Sequence, residues 1–145
     1  MRAVLQRTTE ASVTVEGAIV GGIACGLVVF LGIEEGDTTA DLQYICDKVV
    51  GIRVFDDENE IPNLSVQDIG GSVLLVSQFT LCADARKGKR PGYSKAARPE
   101  QAIPLYEAAI FSAACSKKPT SLLLSFSGSE TRATTSRQRA TISLL

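Results

Sequence analysis

The chain has 145 residues, 45% hydrophobic and 21% charged, with a formal net charge of −1 and no histidine. That size and balance suit one domain with a real core and exclude a disordered polymer; the longest apolar run, residues 27–31, falls far short of the ~20 apolar residues of a membrane helix. The lack of histidine removes Ser-His-Asp and Cys-His catalysis, histidine zinc sites and the usual neutral-pH general base.

Residues 3–7 and 12–15 alternate apolar and polar side chains, the period-2 signature of half-buried strands. Glu16-Gly17 supplies a hairpin turn in a residue tolerant of positive φ, and residues 18–23 return as its second strand. Leu27-Val28-Val29-Phe30-Leu31, bounded by Gly26 and Gly32, reads as a central strand buried on both faces. Asp37-Thr38-Thr39 offers helix N-caps. After them Leu42, Ile45, Cys46, Val49 and Val50 fall at i, i+3, i+4, i+7 and i+8, the stripe of an amphipathic helix.

Residues 52–55 are expected to resume a strand, with Asp56-Asp57-Glu58-Asn59 as an exposed acidic loop. Residues 73–79 read as a further buried strand introduced by Gly70-Gly71. Arg86-Lys87-Gly88-Lys89-Arg90-Pro91-Gly92 is a basic loop without apolar periodicity. Pro99 opens a second helix as its first residue, where a missing N–H costs nothing, and Ala102, Ile103, Tyr106, Ala109, Ile110 and Ala113 form its apolar face. Pro104 lies inside that stretch, an interior position worth ~3 kcal/mol against the helix, so a later start or a bend is expected. The expected fold class is α+β: a mainly antiparallel, barrel-like β-sheet domain with two amphipathic helices.

Charge is unevenly placed. Residues 1–111 carry 10 Lys/Arg against 15 Asp/Glu, whereas residues 112–145 carry 5 Lys/Arg against Glu130. An acidic body confines any RNA contact to a local patch. Cys25, Cys46, Cys82 and Cys115 include no C-x-x-C pair, so reduced, mostly buried thiols are expected rather than a metal or redox site. No basic segment precedes an apolar stretch at the start, and a cytoplasmic location is expected.

Three segments carry a family resemblance. They are Met1-Arg2-Ala3-Val4-Leu5-Gln6-Arg7 leading into Ala11-Ser12-Val13; Asn63-Leu64-Ser65-Val66-Gln67-Asp68 with Gly70-Gly71 and then Ser77-Gln78-Phe79-Thr80-Leu81; and Lys87-Gly88-Lys89-Arg90-Pro91 with Ser94-Lys95-Ala96-Ala97. In this order and spacing the chain resembles the D-aminoacyl-tRNA deacylases from residue 1 to about 111. The resemblance implies a symmetric homodimer with sites near the subunit interface, no metal and no organic cofactor. It also implies hydrolysis of the ester between a D-amino acid, or mischarged glycine, and the terminal ribose of tRNA.

An aminoacyl ester is already activated, so orienting it and stabilising its oxyanion can suffice, with the neighbouring ribose 2′-OH assisting. One oxyanion donor is typically worth ~3–4 kcal/mol. The resemblance assigns that role to the backbone N–H groups around Phe79 and Thr80, supported by Ser77 and Gln78, and such a site needs no histidine. Arg86, Lys87, Lys89 and Arg90 become candidate phosphate contacts for the acceptor stem, and Gln6 and Arg7 candidate contacts for the terminal adenosine.

Plainer readings stand beside these. Ser77–Thr80 could end a core strand with Phe79 in the core, and the basic run could be a solvated loop. Thr80 as covalent nucleophile lacks a nearby base, which favours an orienting role. A Cys82-dependent thiol enzyme lacks a histidine to activate the sulfur, and a tRNA-binding relic of the same fold is the non-catalytic alternative.

The family's second signature, a Gly-Pro pair inside an Asn-x-Gly-Pro-Val-Thr stretch, has no counterpart near Gln138-Arg139, and no proline follows Pro119. Thirteen of the last 34 residues are Ser or Thr. The expectation is a single deacylase-like domain over 1–145 in which 112–145 is a divergent tail, read in a shifted frame or otherwise replaced, whose residues 138–145 occupy the final strand.

Overall fold

Hydrogen bonding sorts the strands of the described residues into three sheets. In the computed structural model the described residues are 1–86, 88–114, 122–125 and 140–144, those from 111 onward by backbone alone. The first sheet has the order β1 (Arg2–Thr8), β4 (Gly26–Gly32), β7 (Ser72–Ser77), β8 (Leu122–Ser125). β1 runs antiparallel to β4, while β4–β7 and β7–β8 are parallel. The second sheet, β3 (Ala18–Ile23), β2 (Ala11–Val15) and β9 (Ala140–Leu144), is antiparallel throughout. β5 (Phe55–Asp56) and β6 (Pro62–Leu64) form a small antiparallel hairpin.

Alternation along β4 and β7 decides what each face of the first sheet meets. Leu27, Val29, Leu31, Val73 and Leu75 face one way, against Leu42, Cys46 and Val49 of α1 (Thr39–Gly51) and Leu105, Tyr106 and Ala109 of α2 (Pro99–Ala114). Val28, Leu74 and Val76 face the other way, onto Ala11, Val13 and Ile23 of the second sheet. Each Leu, Ile or Val among these, buried, stabilises the fold by about 1.5–3 kcal/mol. The order is therefore sheet, sheet, helices, with β4 and β7 buried on both sides. The mainly antiparallel α+β class with two helices holds, and the two parallel pairs are added to it. Among the described residues, no helix is long and apolar enough to cross a membrane.

Local chemistry sets the boundaries. Glu16 (φ 50°) and Gly17 (φ 85°) make the β2–β3 turn, both in the left-handed region that primed hairpin turns require. α1 starts at its N-cap Thr38, whose backbone N–H and hydroxyl donate to the Asp41 carboxylate at 2.8 and 2.7 Å; these bonds hold that carboxyl below its usual range. The Ser65 N–H and hydroxyl donate to Asp68 at 2.9 and 2.7 Å, closing the turn before β7. The Tyr106 hydroxyl donates to the Leu75 carbonyl at 2.9 Å, which ties α2 to β7, and burial pushes its phenol pKa up.

Three expectations need correction. Residues 52–54 are not strand; only Phe55 and Asp56 pair, with the hairpin turn around Asp57. The Asp57 carboxylate accepts from the Asn59 and Ile61 N–H groups at 2.8 and 3.3 Å, a local turn that competes with extending the ladder. The strand from residue 72 stops at Ser77 instead of running to Phe79. Pro104 lies inside α2, which nevertheless begins at Pro99, and burial on that helix includes Leu105, outside the expected stripe. The described cysteines are mostly buried as expected, Cys46 and Cys82 inside and Cys25 exposed.

Candidate active site

β7 leaves the sheet after Ser77, whose register partner is Leu31. The Gln78 N–H still bonds back to the Leu31 carbonyl at 2.8 Å. Gln78 itself is off the helical region (φ −142°, ψ 83°), and Phe79–Cys82 close into a single 3-10 turn. In that turn the Leu81 and Ala83 N–H groups donate to the Gln78 and Thr80 carbonyls at 3.2 Å each. The N–H groups of Phe79 and Thr80 come too early in the turn to have a carbonyl behind them. Among the described residues neither donates a hydrogen bond. They are two adjacent donors at a strand end, outside the sheet ladder.

Several contacts fix this turn. The Gln78 side-chain amide donates to the Thr80 hydroxyl, so two of the expected site side chains bind each other. Cys82 is fully buried with its thiol donating to the Ile33 carbonyl at 3.5 Å. Gly32 passes so close that an added Cβ would lie 3.0 Å from Cys82 Sγ and Leu81 Cβ and 3.1 Å from the Gln78 carbonyl oxygen. On the outer side, Arg2 Nη1 donates to the Leu81 carbonyl at 2.9 Å. Phe79 is 53% exposed, Tyr93 is 43% exposed, and their rings meet edge-to-face at 5.4 Å. The reading of Phe79 as a core side chain is thereby excluded.

Cys82 does not offer a thiolate: burial first, then the nearby Glu34 charge, pushes its pKa up, opposite to what a nucleophilic cysteine needs. The thiol-enzyme reading has no support here. Among the described residues no group of three or more acidic or cysteine side chains is placed to hold a metal ion.

The basic loop follows directly. Its base is a two-way backbone pair, Asp84 N–H to the Gly92 carbonyl at 2.8 Å and Gly92 N–H to the Asp84 carbonyl at 2.9 Å. The Asp84 carboxylate captures Arg86 through the backbone N–H at 3.1 Å, through Nε at 2.9 and 3.1 Å, and through Nη2. Those bonds hold the Asp84 carboxyl well below the usual carboxylate range and raise the Arg86 pKa. Lys89 and Arg90 are exposed, and a groove of about 670 Å³ is lined by Asp84, Arg86, Arg90 and Gly92. Lys87 and positions 138–139 lie outside the described residues.

Gln6 and Arg7 are not brought to this corner within the chain. They pair with Val28 and Leu27, whereas Ser77 pairs with Leu31, separations of ~10 and ~13 Å along the sheet at about 3.3 Å per residue. Arg7 Nη1 donates to the Val54 carbonyl at 2.8 Å and to Asp56 at 3.2 Å, and the Gln6 amide donates to the Arg7 carbonyl at 2.9 Å. At the Ser77 end of β1 stands Arg2, quoted in the sequence only as part of the opening motif. Asp84 and Tyr93 were also missed; an acid two residues before the first of four cations, and an aromatic just past the loop, were the available signals.

Two adjacent backbone donors at a strand end, unpaired among the described residues, lie beside an exposed aromatic pair and a basic loop. The chain belongs to the D-Tyr-tRNA(Tyr) deacylase family, whose family model matches residues 4–123, about twelve residues beyond where the resemblance in the sequence fades. It is 57% identical over 107 residues to a D-aminoacyl-tRNA deacylase of Koribacter versatilis, covering 74% of this chain and 72% of that one. It is 51% identical over 121 residues to the D-aminoacyl-tRNA deacylase of Desulforamulus reducens, covering 83% and 81%. Among solved structures, one titled c-Myc DNA Unwinding Element Binding Protein superposes with a TM-score of 0.86 at 32% identity, over 99% of this chain and 91% of that one. A probable eukaryotic D-amino acid tRNA deacylase shares the fold at a TM-score of 0.65 and 15% identity, over 77% and 66%. The chain is thus a member of an enzyme family, the D-aminoacyl-tRNA deacylases.

Proposed function

We propose that this protein hydrolyses the ester of D-aminoacyl-tRNA, and of mischarged glycyl-tRNA, releasing the free amino acid and tRNA. The observation that carries the reading is the pair of N–H groups at Phe79 and Thr80 that donate no hydrogen bond among the described residues. As the ester carbonyl becomes tetrahedral its oxygen gains charge, and fixed amides aimed at that position lower the barrier without titrating. The terminal ribose 2′-OH takes the part that a histidine would play elsewhere. Thr80, held by the Gln78 amide, orients the ester or a water instead of attacking it, and Ser77 supports the turn from the end of β7.

Lys89 and Arg90 meet acceptor-stem phosphates; Arg86, engaged by Asp84, shapes the loop more than it attracts RNA. Gln6 and Arg7 contact the terminal adenosine in a homodimer, where the partner subunit brings that end of β1 to the site. The working unit is one deacylase-like domain over residues 1–145 with a divergent tail from about 112, and its substrate places it in the cytoplasm.

Matched D-Tyr-tRNA and L-Tyr-tRNA test the proposal. Hydrolysis of the D form well above the L form supports it. Binding without turnover would instead mark a tRNA-binding relic. Equal hydrolysis of both would show that the missing Gly-Pro pair has removed chiral selection.

A further inference from the structure

The guanidinium of Arg2 touches two parts of the chain that the deacylation reading leaves unused. Nη1 donates to the Leu81 carbonyl at 2.9 Å, and Nε lies 2.8 Å from Glu34 Oε1. Leu81 is the third residue of the four-residue turn that begins at Phe79. The inner side of the turn is fastened to β4 and its continuation through Gln78 N–H to Leu31 and Cys82 to Ile33. On the outer side, Arg2 reaches it across 79 residues of sequence.

Glu34, which aims Arg2, is itself held. Its N–H donates to Asp37 at 2.6 Å, and it bridges to Ala96 in the backbone. The contact between Arg2 and Glu34 is ionic rather than directional, since the buried Oε1 accepts no hydrogen bond among the described residues.

A single turn has no neighbouring turns to share a distortion. Tilting its end at Leu81 therefore tilts its start, where the Phe79 and Thr80 N–H groups sit. Oxyanion donors must stand ~2.7–3.1 Å from the developing charge, and a misplacement of ~1 Å in a catalytic geometry can cost about a hundredfold.

We propose that Arg2 is a positioning residue: by joining Glu34 to the Leu81 carbonyl it sets the tilt of the turn and so the aim of the two amides. The consequence for rate rests on the deacylase reading; the consequence for the turn does not. The experiment compares the full-length protein with Arg2→Ala, Arg2→Lys and Glu34→Gln by amide hydrogen exchange and by steady-state hydrolysis of D-Tyr-tRNA.

In Arg2→Ala the Leu81 and Ala83 amides are expected to exchange at least about tenfold faster, while amides in the middle of β4 keep their protection. kcat is expected to fall at least about tenfold with KM within about twofold, the sign of a group acting only in the transition state. Arg2→Lys recovers part of both losses, because an ammonium keeps the charge but lacks the planar, rigid fork of the guanidinium. Should Arg2→Ala fold poorly, Arg2→Lys and Glu34→Gln carry the same comparison at smaller amplitude. Unchanged exchange at Leu81 and Ala83 overturns the proposal, and so does faster exchange with kcat intact. A parent protein that never turns over D-Tyr-tRNA defeats the deacylase reading instead, and exchange alone then decides whether Arg2 sets the turn.

Discussion

The turn at Phe79–Cys82 and the basic loop from Asp84 to Gly92 are neighbours in sequence but are held in different ways. The turn is fastened from the core side through Leu31, Ile33 and the buried Cys82, and from outside through Arg2. The loop stands in solvent, closed by one backbone pair and by the exposed Asp84–Arg86 ion pair. The difference fits the separate roles proposed for them on RNA. Hydrogen-bond donors work only within a few tenths of an ångström and must be rigid. Cations act over the ~8 Å of the screening length and tolerate a mobile, solvated support.

The sharpest way to break the comparison is to delete one amide from the turn. Phe79→Pro does so at the first position of the turn, where the lost N–H donates no hydrogen bond among the described residues. kcat is expected to drop by about 10²–10³ with little change in KM, whereas Phe79→Leu, which keeps the N–H, loses far less. Equal losses would mean that the ring, not the amide, matters.

A smaller effect is expected from the loop. Replacing Lys89 and Arg90 by Ala should flatten the dependence of log K on log salt by about two units, while Arg86→Ala, already neutralised by Asp84, should leave that slope nearly intact. A slope that falls as much for Arg86 would show that the ion pair opens on RNA.

The smallest effect concerns pH. The Arg86 bonds hold the Asp84 carboxyl below its ordinary value of 3.8, so the folded loop binds that proton less readily than an open one does. Its contribution is therefore complete above about pH 4 and is lost only as pH falls further. The Asp84 and Gly92 amide shifts should stay flat through the ordinary carboxylate range, from about pH 5 down to about pH 3; a transition centred on the ordinary carboxylate value would mean that the pair does not hold in solution.

The hairpin at Glu16-Gly17, the double-sided burial of residues 27–31 and the stripe of α1 were legible because each repeats a period that burial enforces. The site was legible in position but not in shape. Apolar periodicity carried the expected strand through Phe79, yet nothing in a pattern of side chains reports that main-chain donors fall out of a ladder after Gln78. The role of Arg2 was hidden for a related reason: its partners, Glu34 and Leu81, lie 32 and 79 residues away. The basic loop was plain as charge, but the cancellation of Arg86 by Asp84 depends on a side chain folding back two residues. The parallel partners of β7 depend on crossovers that local patterns do not encode.

The account stands on the two amides receiving the ester oxygen, and nuclear magnetic resonance can watch them directly. Binding of a non-hydrolysable D-tyrosyl-adenosine in which an amide replaces the ester should move the Phe79 and Thr80 N–H resonances downfield while those of β3 stay in place. Saturable binding that leaves both resonances unmoved would contradict it.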